Sequence, residues 1–160
     1  MALVFVGIGS SINRAENIRL GIQALQAEFG QIQLSSIYES EAVGFKGGNF
    51  YNLVISLHSP LDAKTIIKQL KKIEKKLGRP EKTIKFAPRT LDLDLLLHDQ
   101  LIAAEIDIPR AEILKNAFVL QPLSELAPQL KHPILQQNYQ SLWDKFPKQQ
   151  KLWQLDAIIN

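Results

Sequence analysis

The stretch KFAPRTLDLDLLL, Lys85–Leu97, sets two carboxylates into a run that otherwise reads as a buried strand. Side chains along a strand point alternately to opposite faces, so Asp92 and Asp94 share one face and Leu91, Leu93 and Leu95 take the other. The short apolar run and its β-type alternation argue for a strand. That reading closes a larger pattern. Upstream, ALVFVGIG is a short apolar strand with Gly7 and Gly9 at a tight exit. Asn13 with Glu16 three residues on has a capping-box spacing. Ile18, Ile22, Leu25 and Phe29 then recur at helical spacing, with Gly30 as the stop. QIQLSSIYES reads as one strand, and EAVGFKGGNF as a glycine-rich loop long enough to be functional.

FYNLVISLHS continues the pattern as a strand with Tyr51, Leu53, Ile55 and Leu57 on one face and Asn52 on the other. After Pro60 a helix carries Ile66, Ile67, Leu70, Ile73 and Leu77 as its apolar stripe, and its many lysines read as a solvated face. Gly78 ends it, RPEKTIKFAPRT is a second polar loop, and LDLDLLLHD is the next strand. The order strand, helix, strand, strand, helix, strand is the ferredoxin-like βαββαβ pattern. The expected fold class is therefore α+β: this core, mobile loops, and a C-terminal extension of short helices and strands. Residues 1–160 read as one domain.

The totals agree with a globular chain. It has 160 residues, 46% hydrophobic and 22% charged, which suffices to bury a core without metal or disulfide staples. There is no cysteine, so disulfides and thiolate metal sites are excluded. No basic residue precedes the first apolar run, and no run approaches the roughly 20 apolar residues of a membrane span. A cytoplasmic location with no membrane partner is expected. The net charge of +3 suits an anionic small molecule better than nucleic acid, which calls for a stronger basic footprint. His58, His98 and His132 have no spacing that suggests a metal site.

Two ionised carboxylates this close repel unless they are solvated, share a proton or hold a cation. A bare Asp-x-Asp is most simply a solvated strand face or a pair balanced by lysines. Arg89, behind a backbone restrained by Pro88, changes the balance, because an arginine beside a carboxylate pair can hold a phosphate while cations occupy the carboxylates. Arg79, Lys82 and Lys85 lie in the same loop. A basic loop beside paired carboxylates suits polyphosphate chemistry.

KFAPRTLDLDLLL resembles the signature of the hydroxymethyl-dihydropterin pyrophosphokinase family: a basic residue, any residue, Gly or Ala, Pro, Arg, two residues, then Asp-apolar-Asp and two apolar residues. Lys85, Ala87, Pro88, Arg89, Asp92, Leu93, Asp94, Leu95 and Leu96 meet it. FVGIGSSI, IYESEAVGF, NFYNLV, IEKKLGR and AFVLQPLSELAP resemble further family segments, so the likeness covers most of the chain.

The resemblance implies transfer of the terminal diphosphate of ATP to the hydroxymethyl group of a reduced pterin, releasing AMP. It implies Asp92 and Asp94 as ligands of two Mg²⁺ ions. Arg89, Arg79 and Lys82 would bind phosphates, and Glu74 would sit near the nucleotide side. Asn52 would hydrogen-bond the pterin edge. Phe118 and Phe50 would offer aromatic surface, with Ser40 and Val43 lining the pocket. From the residues alone, Phe118 reads equally as core and Asn52 as a solvated strand residue.

The chain also departs from the family pattern. Arg110 stands where a His is usual and Ala111 where another ring or a Pro often follows. Asn116 stands where an Arg is usual, Phe86 where a Trp is usual, and Glu81 where a basic residue is usual. Arg110 keeps hydrogen-bond donors for phosphate, Lys115 or Arg110 would have to replace the missing charge, and Phe86 keeps an apolar lid. These changes leave open a divergent member with reduced activity or a modified pterin. A nucleic-acid-binding ferredoxin-like module is the remaining alternative, but the Asp92 strand lacks the exposed aromatic pair that RNA-reading sheets carry. A monomer is expected.

Overall fold

The computed structural model describes residues 1–41, 49–78 and 91–155. In chain order it forms β1 (Ala2–Ser10), α1 (Arg14–Phe29), β2 (Ile32–Leu34), β3 (Ile37–Ser40), β4 (Phe50–Ser59), α2 (Ala63–Lys76) and β5 (Asp92–His98). Two short 3-10 turns, Ala104–Ile106 and Ala111–Leu114, lead to α3 (Ala117–Leu126), α4 (Tyr139–Lys145) and β6 (Leu152–Leu155). The sheet runs β5-β1-β4-β3-β6, with β2 also paired to β4, and every pairing is antiparallel. This is the expected ferredoxin-like arrangement with its second strand divided.

Several local expectations change. QIQLSSIYES is not one strand: the chain breaks at Ser35–Ser36, where the Ser35 hydroxyl accepts from Val54 N–H (2.9 Å) and donates to the Ser36 carbonyl (2.8 Å). The capping box does not form either. Asn13 is left-handed (φ 42°), and its side chain makes no cap bond to α1. Pro60 leads into α2 as expected, and Asp62 caps it, its carboxylate accepting from Thr65 N–H at 2.8 Å. Gly30 does close α1, at φ 84°, where the left-handed backbone favours glycine. Gly7 and Gly9 lie inside β1 rather than at its exit.

Both faces of the sheet are covered. On one, Val4, Val6 and Ile8 of β1, Leu53, Ile55 and Leu57 of β4, and Leu93 and Leu95 of β5 pack against α1 and α2 through Ile18, Leu25, Ile66 and Leu70. On the other, Phe5, Val54, Leu96 and Leu97 pack against Ile113, Val119, Leu120 and Leu123 and against Tyr139 of α4. A register shift between Phe5 and Val6 takes up the extra residue Leu96, so Leu96 and Leu97 both join the second cluster. The C-terminal extension is thus the sheet's second covering layer, and β6 extends the sheet beyond β3. Tyr38 and Ser36 secure this layer: the Tyr38 hydroxyl donates to Glu125 Oε1 (2.6 Å), and Ser36 gives its N–H and hydroxyl to Glu125 Oε2 (2.8 and 2.9 Å).

The turn between α3 and α4 is organised by His132. Its buried ring accepts from Ile134 N–H and Leu135 N–H at Nδ1 (3.2 Å each), which requires the neutral ring. Burial pushes its pKa below the ordinary 6.5. The folded state therefore binds this proton less readily than the unfolded chain. The stabilisation is whole above pH 6.5 and is lost as pH falls from there through the depressed value. Denaturation midpoints should fall between pH 7 and pH 5, and His132→Asn, which keeps an acceptor near Nδ1 without the titration, should flatten that slope.

Candidate active site

The site follows from strand register. β1 lies between β4 and β5, with Gly9 opposite both Asn52 and Asp92, and Gly7 opposite both Val54 and Asp94. Asn52 and the aspartates therefore flank a floor of glycine backbone, two strand spacings or about 10 Å apart. Glycine is needed at one of these positions for a plain steric reason. A Cβ on Gly9 would stand 2.9 Å from Asn52 Oδ1, whereas one on Gly7 would meet Leu96 at an ordinary 3.5 Å. Asn52 Nδ2 donates to the Ser40 hydroxyl at 2.8 Å, both residues being buried, so its Oδ1 lies over Gly9.

Over this floor is a narrow cavity of about 140 Å³ lined by Gly7, Gly9, Phe50, Asn52, Asp94 and Phe118, among others. Phe118 comes from the first turn of α3. The C-terminal segment ties that turn down: Gln150 Oε1 accepts from Ala117 N–H and Gln150 Nε2 donates to the Lys115 carbonyl, each at 2.8 Å. On the other side is an open cleft of about 660 Å³, with Ile67, Leu70 and Ile106 as apolar wall and Lys71, Glu74, Glu105 and Arg110 as polar groups. Asp92, Asp94 and Glu112 line both spaces, so the carboxylate pair stands where they meet.

Among the described residues, acidic groups outnumber basic ones at this junction. Burial and the neighbouring Asp92 push the Asp94 carboxyl well above the usual carboxylate range, and Arg110 offsets this only in part. Arg110 Nη2 lies 3.4 Å from Asp94 Oδ1 and 2.9 Å from Glu112 Oε1. Burial works against the charge on Arg110, but Asp94 and Glu112 outweigh it and raise its pKa. An all-oxygen donor set suits a hard divalent cation. No group of three His, Asp or Glu able to hold a metal occurs among the described residues. The pair would therefore need phosphate oxygens and water to complete a coordination shell. In that sense the residues fit Mg²⁺.

Glu74 has a further task. Its buried carboxylate accepts from Leu93 N–H at 2.7 Å, which pins β5 to α2 beside the aspartates. Lys115 is exposed, and its carbonyl is what Gln150 engages. Asn116 caps α3 only through its carbonyl, which accepts from Val119 and Leu120 N–H. Val43, Arg79, Lys82, Phe86 and Arg89 lie outside the described residues. Sequence reading overlooked the glycine floor, although a Gly-x-Gly inside a strand signals close approach of other groups. Lys71 is exposed, as the solvated-face reading expected, and also lines the cleft. Nothing in the sequence pointed to Glu112 or Gln150.

The family model of 7,8-dihydro-6-hydroxymethylpterin-pyrophosphokinase matches residues 5–128. The chain belongs to this family. It is 37% identical over 139 residues to the 2-amino-4-hydroxy-6-hydroxymethyldihydropteridine pyrophosphokinase of Aquifex aeolicus, covering 84% of this chain and 86% of that one. To the enzyme of the same name from Porphyromonas gingivalis it is 33% identical over 141 residues, covering 83% and 95%. A solved Plasmodium falciparum HPPK-DHPS in complex with pteroate superposes with a TM-score of 0.73 at 12% identity, which speaks for the fold alone. That match covers 91% of this chain but only 43% of the solved one, so the chain spans less than half its length. Among the described residues no helix is long and apolar enough to cross a membrane.

The glycine floor makes a graded prediction. Gly9→Ala should cost about 1–3 kcal/mol in urea unfolding, because a Cβ there overpacks against Asn52, and Gly7→Ala should cost less than about 1 kcal/mol.

Proposed function

We propose that this pyrophosphokinase transfers the terminal diphosphate of ATP to the hydroxymethyl group of 6-hydroxymethyl-7,8-dihydropterin, giving AMP and the pterin diphosphate. The family is one of folate biosynthesis. The observation that carries the proposal is the position of Asp92 and Asp94 at the meeting of a narrow pocket and an open cleft. A flat heteroaromatic ring suits the pocket, and a nucleotide suits the cleft.

The chain's residues then act as follows. Asn52 Oδ1, held by the bond from its amide to Ser40, accepts from the donor edge of the pterin. Phe118 and Phe50 supply aromatic surface to the ring. This orientation turns the hydroxymethyl group toward the aspartates and converts an encounter of two substrates into a held geometry. Ile67, Leu70 and Ile106 give the nucleotide an apolar wall. Arg110, Lys115, Arg79, Lys82 and Arg89 bind the phosphates, with Arg89 and Arg79 acting on the charge of the transferring group. Two Mg²⁺ ions held by Asp92 and Asp94 would neutralise the polyphosphate and polarise its oxygens. Glu74 keeps β5 in register, and Val43 and Phe86 complete the pterin pocket. The reading takes residues 1–160 as one domain acting as a cytoplasmic monomer, without nucleic acid or membrane as a partner.

The purified protein mixed with ATP, Mg²⁺ and the reduced hydroxymethyl pterin should release AMP, resolved from ADP by chromatography. ADP as the product would sink the proposal. Asp94→Ala should lower kcat by about 10³-fold or more with an unchanged far-UV circular dichroism spectrum.

A further inference from the structure

Arg110 stands in a place where it competes for Asp94. Its backbone N–H donates to the Leu96 carbonyl at 3.0 Å, anchoring the residue to β5 just beyond the carboxylate pair. From there the guanidinium reaches three carboxylates: Asp94 Oδ1 at 3.4 Å, Glu112 Oε1 at 2.9 Å and Asp107 Oδ2 at 3.8 Å. Its Nε is buried with no hydrogen-bond partner. A buried donor left unpaired costs stability, so this pose gives up a bond in order to neutralise the acidic cluster. The side chain is only about a quarter exposed (26%) and Asp94 likewise (25%), and both line the open cleft.

We infer that Arg110 is a tethered counter-cation that occupies the Asp94 side of the metal site and couples metal binding to nucleotide binding. This rests on the reading of Asp92 and Asp94 as metal ligands. A divalent cation arriving alone has to displace the guanidinium from Asp94, or share the carboxylate with it at the cost of like-charge repulsion. A cation arriving with a polyphosphate brings a new anionic partner for the guanidinium, which matches phosphate oxygens in a two-pronged bond. The pair Arg110–Asp94 therefore holds back metal in the absence of nucleotide and gives way when nucleotide is present. A neutral side chain at this position could do neither.

Mn²⁺ binding without nucleotide, read by the loss of the free-ion electron paramagnetic resonance signal, tests this apart from activity. Arg110→Gln should bind Mn²⁺ roughly tenfold more tightly than the parent, since an adjacent positive charge is gone. The same variant should bind a non-hydrolysable ATP analogue with Mg²⁺ about tenfold more weakly, since a phosphate partner is gone. Arg110→Lys, which keeps the charge, should leave Mn²⁺ affinity within about threefold of the parent. Unchanged or weaker Mn²⁺ binding by Arg110→Gln overturns the inference, as does equal tightening by Arg110→Lys, which would point to packing rather than charge. Asp94→Ala added to Arg110→Gln separates the two readings. Loss of Mn²⁺ binding in the double variant keeps the metal site whatever Arg110 does. Tight binding that survives withdraws the metal site and this inference together. Cooperative thermal melting of each variant shows that the comparison is between folded proteins.

Discussion

The register of β5 on β1 is the constraint on which the rest of the molecule depends. Asp92 opposite Gly9 and Asp94 opposite Gly7 place both carboxylates over the glycine floor and leave Leu93 and Leu95 in the core. A slip of one residue would bury two carboxylates among leucines and expose the leucines. Among the described residues β5 is an edge strand, with β1 as its strand neighbour. The Glu74 carboxylate on Leu93 N–H supplies a further hold, and the packing of α2 on the leucine face adds to it. The same glycines that allow this register also make the floor on which a flat ligand can lie.

The second layer turns a strand face into a site. A bare ferredoxin-like sheet would leave Asp92, Asp94, Asn52 and Tyr38 in solvent. Here α3 and α4 cover that face through Val119, Leu120, Leu123 and Tyr139, and the covering stops short of the glycine floor. Glu125 joins α3 to Ser36 and Tyr38, and Gln150 joins the start of α3 to the C-terminal segment. Phe118 is therefore fixed from both ends of its helix. Burial and the neighbouring Asp92 make an ionised Asp94 costly in the folded chain even with Arg110 beside it, and two large apolar clusters hold the pair in place.

Much of this was legible in the sequence. The β-type alternation in LDLDLLL put the aspartates on one face, and the βαββαβ order gave the sheet. Asn52 facing away from Leu53 and Ile55 was read correctly from the alternation of β4. What was lost has identifiable causes. A strand break at Ser35–Ser36 has no periodic signature, because hydroxyl bonds to the neighbouring strand and carbonyl create it. The capping box failed because spacing says nothing of φ, and Asn13 is left-handed. Arg110 looked like a replacement phosphate ligand; two of its carboxylate partners, Asp107 and Glu112, are its neighbours in sequence, but the third, Asp94, lies on β5 and is brought to it only by folding.

The sequence by itself determined the family, the sheet and the placing of two carboxylates on one strand face, because alternation and motif spacing are local properties that a chain carries along its length. Tertiary structure alone decided that the C-terminal extension is a covering layer, that Gly7 and Gly9 are a floor, and that Arg110 rests on Asp94. Those depend on which strand lies beside which and on which charged groups come together, and both are set only when distant segments meet.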